Sequence, residues 1–436
     1  MSEITPPMDV APARLRTDVF LTLGGKVSSL FFGLGIVVLV ARELGPAGQG
    51  LFAVAFSLTL VLIHVGGLGL TSANPYFSAR EAEQRPGIVT NSLWLAAGLG
   101  LVLIAVGAGV KLVAPGFVEG VSWTELLVAL VGVPGALAAV FLQGILLGEG
   151  RIVAYNAVDV SQFALTLVAL AIGFWAFDFR VVGALAVLSA SRIASALAYL
   201  AVLLLRHSPQ LAADSALARR MLTYGLRAYL AVLASFLVIR LDLLLVNAYI
   251  GAHEAGLYSV TATIADGLFV LPAVVGLNLF PRVARGDPTE ATAAVFRSIA
   301  VLYGLLCLAT IPLAGPGIRL VFGDAFDGSV SLYYWLLPGI YCVGMLTILA
   351  HHFAGRGYPI EAAAVWLVGL AVNLAINVVF LPGRGAWVAS AASSVTYALM
   401  LALHIRLFSR EAGGYGSLRP RLREVVGFVR TAFARG

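Results

Sequence analysis

Charge is what this chain has least of. Asp, Glu, Lys and Arg make up 11% of its 436 residues, against about a quarter in soluble domains. With 60% hydrophobic residues and a mean hydropathy of +0.96, that scarcity excludes a soluble globule. Cysteine is nearly absent: Cys307 and Cys342 lie in separate apolar runs, which excludes a disulfide framework. Lysine occurs twice against 26 arginines, which reflects genome composition more than function. No Walker loop is present, so the chain carries no motif for direct ATP drive. His351 and His352 are adjacent, point in different directions and make no zinc site. Nothing calls for a cofactor or a metal, and no pair of residues has the spacing of a catalytic dyad. The longest outer connection is about 15 residues, too short to house a separate enzyme domain.

What the chain does have is length and grease in repeated units. About twelve apolar runs of roughly 20 residues can be read, each long enough to cross a bilayer core at 1.5 Å per residue. They fall near 19–41, 51–72, 90–113, 124–147, 153–176, 182–205, 228–250, 257–280, 293–314, 330–353, 360–381 and 385–407. The expected fold is an all-α polytopic membrane protein.

Basic residues set the orientation. With both termini inside, about 19 of the 28 Lys and Arg fall on the inner side and about five outside (Arg42, Lys111, Arg180, Arg319, Arg384). That is a positive-inside pattern and it agrees with an even number of spans. The net charge of +6 therefore reflects topology, and nucleic acid is not an expected partner. The partition reads as a cytoplasmic N-terminal segment (1–18), an N-lobe of six spans (19–205), an inter-lobe linker (206–227), a C-lobe of six spans (228–408) and a basic tail (409–436). In the tail, Leu418, Leu422, Val425, Val426, Val429 and Phe433 share one stripe and Arg419, Arg423 and Arg430 another, an amphipathic pattern suited to an anionic membrane surface. A solvated tail helix fits it equally.

The two-lobe partition rests on a repeat. GPAGQGLF (Gly45 to Phe52) and GAHEAGLY (Gly251 to Tyr258) each close one apolar run and open another. At an offset of about 206, Gly45 meets Gly251, Gly50 meets Gly256 and Pro75 meets Pro281. Gly148 and Gly150 likewise meet Gly355 and Gly357, and Gly183-Ala184 resembles Gly385-Ala386. Matched Gly and Pro mark turns and helix ends, so they weigh more than matched apolar residues. Two parallel six-helix lobes suggest a transporter.

Ionisable groups at bilayer depth face a bundle interior or a wet cavity, or pair with one another. Lys26 lies in the first span on a face with Thr22, Ser29 and Gly33; it either lines a cavity or snorkels to the inner surface. Arg240 and Asp242 lie mid-span in the seventh run and, at i, i+2, point to different faces. Tyr229, Arg240 and Asn247 share one stripe; Ser235, Asp242 and Tyr249 share another. Arg192, Asp159 and Asp266 are also deep. Each acid either forms a structural pair or carries a coupling ion. Asn373 and Asn377, at i, i+4, suit sugar hydroxyls or interhelical bonds equally.

Lys26, the string ARELGPAGQGLF with the following helix to Asn74-Pro75, and RLDLLLVNAYIGAHEAGLYSV (Arg240 to Val260) resemble the bacterial O-antigen and exopolysaccharide flippases. These are polysaccharide transporters of the multidrug/oligosaccharidyl-lipid/polysaccharide (MOP) superfamily. The resemblance implies a V-shaped, twelve-helix fold like that of the multidrug and toxin extruders (MATE), and a non-enzymatic role. It implies movement of an undecaprenyl-diphosphate-linked oligosaccharide from inner to outer leaflet by alternating access. The expected headgroup contacts are Lys26, Arg240 and Arg192, with Arg227 nearer the inner surface. Asp242, Asp266 and Asp159 are candidates for coupling or orienting, and Asn247, Asn373 and Asn377 for sugar contact. The implied partners are the polyprenyl-diphosphate glycan, membrane lipids, a glycan polymerase and glycosyltransferases, around a monomer in the cytoplasmic (inner) membrane.

Three rivals carry other functions. A multidrug or cation antiporter shares the fold, but Lys26 and Arg240 argue against a cation cavity. Lipid II-type flippases usually carry extra C-terminal helices. A polytopic polymerase or glycosyltransferase needs a sizeable outer loop, which this chain lacks.

Overall fold

The computed structural model describes residues 12–207, 212–357 and 359–419. Among these residues the chain is all α. Its main helices are α1 (Pro12–Gly66), α2 (Leu70–Arg80), α3 (Arg85–Val113), α4 (Trp123–Gly148), α5 (Ile152–Phe177), α6 (Val181–Leu204), α7 (Ser215–Tyr249), α8 (Ala252–Ala284), α9 (Thr289–Phe322), α10 (Gly328–Gly355), α11 (Ile360–Phe380) and α12 (Trp387–Glu411). Eleven are long and apolar enough to cross a membrane. The first of these spans, Gly24–Gly66, is 43 residues. At 1.5 Å per residue it is about 65 Å long, two crossings of a core about 30 Å thick. Gly45 breaks it with φ of +66°, and Pro46 opens the second arm at the position where a missing N–H costs nothing. Leu101, Leu197, Leu320 and Val379 are each more than half exposed, as residues facing hydrocarbon should be.

Several helix ends differ from the sequence pattern: α7 begins at Ser215, inside the stretch expected as the inter-lobe linker (206–227), and α9 runs on to Phe322 rather than ending near 314. The second arm of α1 stops at Gly66, not near residue 72, because Leu68 and Gly69 adopt left-handed φ of +43° and +76° before α2 resumes. α8, its repeat equivalent, runs on unbroken through Pro272 and Pro281. The expected tail helix lies beyond Arg419, outside the described residues. Its root is held: Leu418 is buried, and Arg297 donates to the Ser417 carbonyl and to Glu290.

The chain forms two compact units. One comprises the chain up to Leu39 with Val65–Gly107 and Leu127–Arg227; the other comprises Val40–His64, Ala108–Leu126 and the chain from Ala228 on. The same contact is built in each. In the first unit a Cβ on Gly132 would come within 2.8 Å of Ser189 Oγ, and that hydroxyl donates to the Val128 carbonyl of α4 at 2.7 Å. In the second, Gly339 packs likewise on Ser394, whose hydroxyl donates to the Trp335 carbonyl of α10 at 2.6 Å. α4 and α10 are the buried centres of their units, and a glycine opposite a serine lets a neighbouring helix approach closely. Gly148 against Pro75, and Gly355 against Phe280 and Val283, repeat a second contact. Gly150 and Gly357 both end their helices in left-handed turns.

Candidate functional site

In the first unit α1 packs on α5 through small residues. A Cβ on Gly25 would stand 2.5 Å from Asn156 Oδ1, and one on Gly35 would stand 3.0 Å from Leu167. This approach brings Lys26 Nζ to 3.4 Å from Asp159 Oδ2, while Ser29 Oγ donates to the same oxygen at 2.9 Å. The ammonium also lies 5.3 Å from the centre of the Tyr155 ring. Lys26 is half exposed while Asp159 is 13% exposed, so the carboxylate anchors a cation that keeps an open side. Arg192 is buried on α6, its carbonyl accepting from Ser195. A groove of about 490 Å³ between α5 and α6 is lined mainly by small residues, with Ser161, Gln162, Thr166, Ser191 and Ser195 as polar members.

In the second unit Arg240 of α7 donates from Nη2 to Asp266 Oδ2 of α8 at 2.8 Å, and both side chains stay a third or more exposed. Asp242, two residues on, points elsewhere, as i, i+2 geometry requires. It is fully buried and accepts from Tyr258 Oη (3.1 Å), Asn377 Nδ2 (3.1 Å) and Ser393 Oγ. Asn377 Nδ2 also donates to Asn373 Oδ1, and Asn373 Nδ2 to Ser393 Oγ. One carboxylate thereby ties α7, α8, α11 and α12. Its bonded partners are hydroxyl and amide donors, and the ion pair of Arg240 is with Asp266. The Oδ1 of Asn377 and the hydroxyls of Ser390 and Thr396 are buried without a partner, so the interior keeps unused polar capacity.

Asn247 is buried and donates to the Glu119 carbonyl at 3.1 Å, a link from α7 to the α3–α4 connection. Three contributors were not singled out from sequence: Tyr258, Ser393 and His64. The first two fall in the polar runs LYSVT and SAASSVTY, whose faces only tertiary packing selects. In the last turn of α9, Arg319 bridges Asp327 of the α9–α10 connection with two 2.8 Å bonds, and that fork holds the Asp327 carboxyl below its ordinary range.

Among the described residues the chain is all-helical, and eleven of its helices are long and apolar enough to cross a membrane, the architecture of a multi-pass membrane protein. The chain is similar to the lipid II flippase MurJ in an inward closed conformation, with a TM-score of 0.73 at 12% identity, covering 93% of this chain and 89% of that one. It is also similar to an inward-facing multidrug resistance MATE family transporter (TM-score 0.68, 17% identity, 91% and 98% covered). A third match is a MOP superfamily transporter from Pyrococcus furiosus, described as having a binding pocket of reverse polarity (TM-score 0.60, 19% identity, 92% and 96% covered). At these identities the likeness establishes the fold. The family comes from the sequence: residues 15–286, more than half the chain, match the polysaccharide biosynthesis protein family, and the chain belongs to it. No curated protein matches the chain.

Proposed function

We propose that the protein is a flippase that carries an undecaprenyl-diphosphate-linked oligosaccharide, an O-antigen or exopolysaccharide repeat unit, from the inner to the outer leaflet. The observation that carries this reading is that Lys26 and Arg240 are both basic, both on helices long and apolar enough to cross a membrane, both held by a carboxylate and both left partly open. A diphosphate competes with Asp159 or Asp266 for such a cation, since both are oxyanions that accept the same N–H donors. A pair with an open side can exchange partners; a sealed one cannot. Membership of a polysaccharide biosynthesis family supports a glycan cargo.

Arg192 serves as a further positive charge in the first unit. Asn373 and Asn377 support Asp242, and Asp242 carries the coupling proton or small cation: it is a fully buried carboxylate beside an unpartnered amide oxygen. Alternating access exposes the cargo site to one leaflet and then the other, in the inner membrane with both termini cytoplasmic. With the cell interior negative, outward movement of the anion is favoured by about 2.3 kcal/mol per charge per 100 mV. A glycan polymerase and glycosyltransferases are the expected partners.

Deletion of the gene should abolish one surface glycan and leave its lipid-linked unit on the inner leaflet, read by glycan staining and by periplasmic labelling of the lipid. Unchanged glycan together with altered sensitivity to cationic drugs would overturn the reading in favour of an extruder.

A further inference from the structure

The second arm of α1 carries His64 near its end, and its ring stacks on Phe236 of α7 with centroids 3.4 Å apart and planes 10° apart. Phe236 sits on the α7 stripe of Tyr229 and Arg240, at i+7 and i−4 from them. Tyr229 Oη donates to the His64 carbonyl at 3.2 Å, so the two helices are pinned at this level. The four side chains thus form one partly exposed face in the second unit, with the Arg240–Asp266 pair at one end.

His64 Nδ1 lies 2.9 Å from the Leu60 carbonyl. A carbonyl only accepts, so Nδ1 holds the ring proton and Nε2 is the acceptor of the ring. That tautomer is set by the helix itself and the ring orientation by the stack, so the acceptor is fixed in place. A diphosphate presents oxygen acceptors and gains nothing from Nε2. A sugar hydroxyl presents the donor that Nε2 takes, and its own oxygen can accept from Arg240. Asp266 adds a second acceptor for a neighbouring hydroxyl.

We propose that His64, fixed by Phe236 and Leu60 beside Arg240, reads a hydroxyl of the sugar next to the diphosphate and so sets preference for glycosylated over bare carrier lipid. This rests on the lipid-linked glycan reading above. His64 is a specificity residue here, and Phe236 and Tyr229 are positioning residues.

The test uses full-length protein in lipid nanodiscs and two probes: undecaprenyl diphosphate, and the same lipid bearing one N-acetylhexosamine. Wild type should prefer the glycosylated lipid. His64→Phe keeps an aromatic ring on Phe236 but has no acceptor; it should lose about tenfold in affinity for the glycosylated probe, one hydrogen bond's worth, and bind the bare lipid as before. His64→Gln, which restores an amide oxygen, should recover most of the preference. Equal loss on both probes, or an unchanged preference in His64→Phe, would overturn the assignment. Wild type that binds neither probe overturns the flippase reading itself, and wild type that binds both equally overturns only the role of His64.

Discussion

Gly50 and Gly256, equivalent positions of the repeat, pack backbone against backbone. A Cβ on Gly50 would stand 1.8 Å from the carbonyl oxygen of Ala252, and one on Gly256 would stand 1.9 Å from that of Pro46. Pro46 and Ala252 are themselves repeat equivalents, so each arm presents the same carbonyl to the same glycine of the other. This is a self-complementary contact about a local two-fold, of the kind a symmetric dimer makes.

Neither backbone can retreat without parting the helices, so Gly50→Ala and Gly256→Ala should each destabilise the protein. Overpacking costs about 1–3 kcal/mol, and more where the obstacle is backbone. The measurement is the thermal midpoint of purified protein in detergent, or loss of folded protein from the membrane. Gly98→Ala is the control: it is helical with no atom within 4 Å of the added Cβ, and should be neutral or gain up to about 1 kcal/mol of helix propensity. Equal midpoints for all three variants would mean that the crossing is looser than its geometry.

Lys26→Ala should abolish export of the lipid-linked glycan while costing little stability, because a partly exposed ion pair contributes about 0–1 kcal/mol. The double variant Lys26→Ala/Asp159→Ala separates structure from transport. If the pair served only to join α1 to α5, removing both charges would restore function. Flipping measured in proteoliposomes should stay lost in the double variant; recovery there would end the headgroup role of Lys26.

For Arg240 a charge swap is the sharper probe. Arg240→Asp/Asp266→Arg keeps an ion pair between α7 and α8 but moves the cation to the other helix. Interhelical glue tolerates that exchange, whereas a positioned anion site does not. Flipping should fall at least about tenfold, since binding at a fixed cation depends on placement at the ångström scale, and the protein should remain folded by melting. Transport at the wild-type rate would assign the pair to structure alone.

Much of the fold was legible because glycine and proline state where helices end. Gly45 and Gly251 are the observed breaks, and Gly150 and Gly357 the observed left-handed turns. The early stop at Gly66 was hidden because the left-handed residue beside Gly69 is Leu68, which carries no turn signal of its own. At the site, the divergence of Arg240 and Asp242 followed from helical geometry. The choice of Asp266 for one and of Tyr258, Asn377 and Ser393 for the other did not, because partners on other helices are selected by packing. His64 was invisible for the same reason: its ring orientation is fixed by Phe236, 172 positions away in the chain.

Asp242 gives the remaining prediction. A carboxylate with no exposure costs several kcal/mol to desolvate, and three donors of neutral groups return only part of that. Stability alone would be served as well by an amide, which keeps the shape and one acceptor oxygen. The acid therefore has to be explained by what an amide cannot do, which is to take up a proton or balance a small cation. Asn377 Oδ1, buried without a partner on the residue that bonds Asp242, supplies a second oxygen for such a cation. Asp242→Asn should consequently melt at or above the wild-type temperature yet lose the dependence of flipping on an imposed proton or sodium gradient. The measurement is flipping in proteoliposomes with each gradient imposed in turn. Gradient dependence that survives the substitution would return Asp242 to the role of interhelical tie, and loss of folded protein in Asp242→Asn would show that its charge is needed for folding.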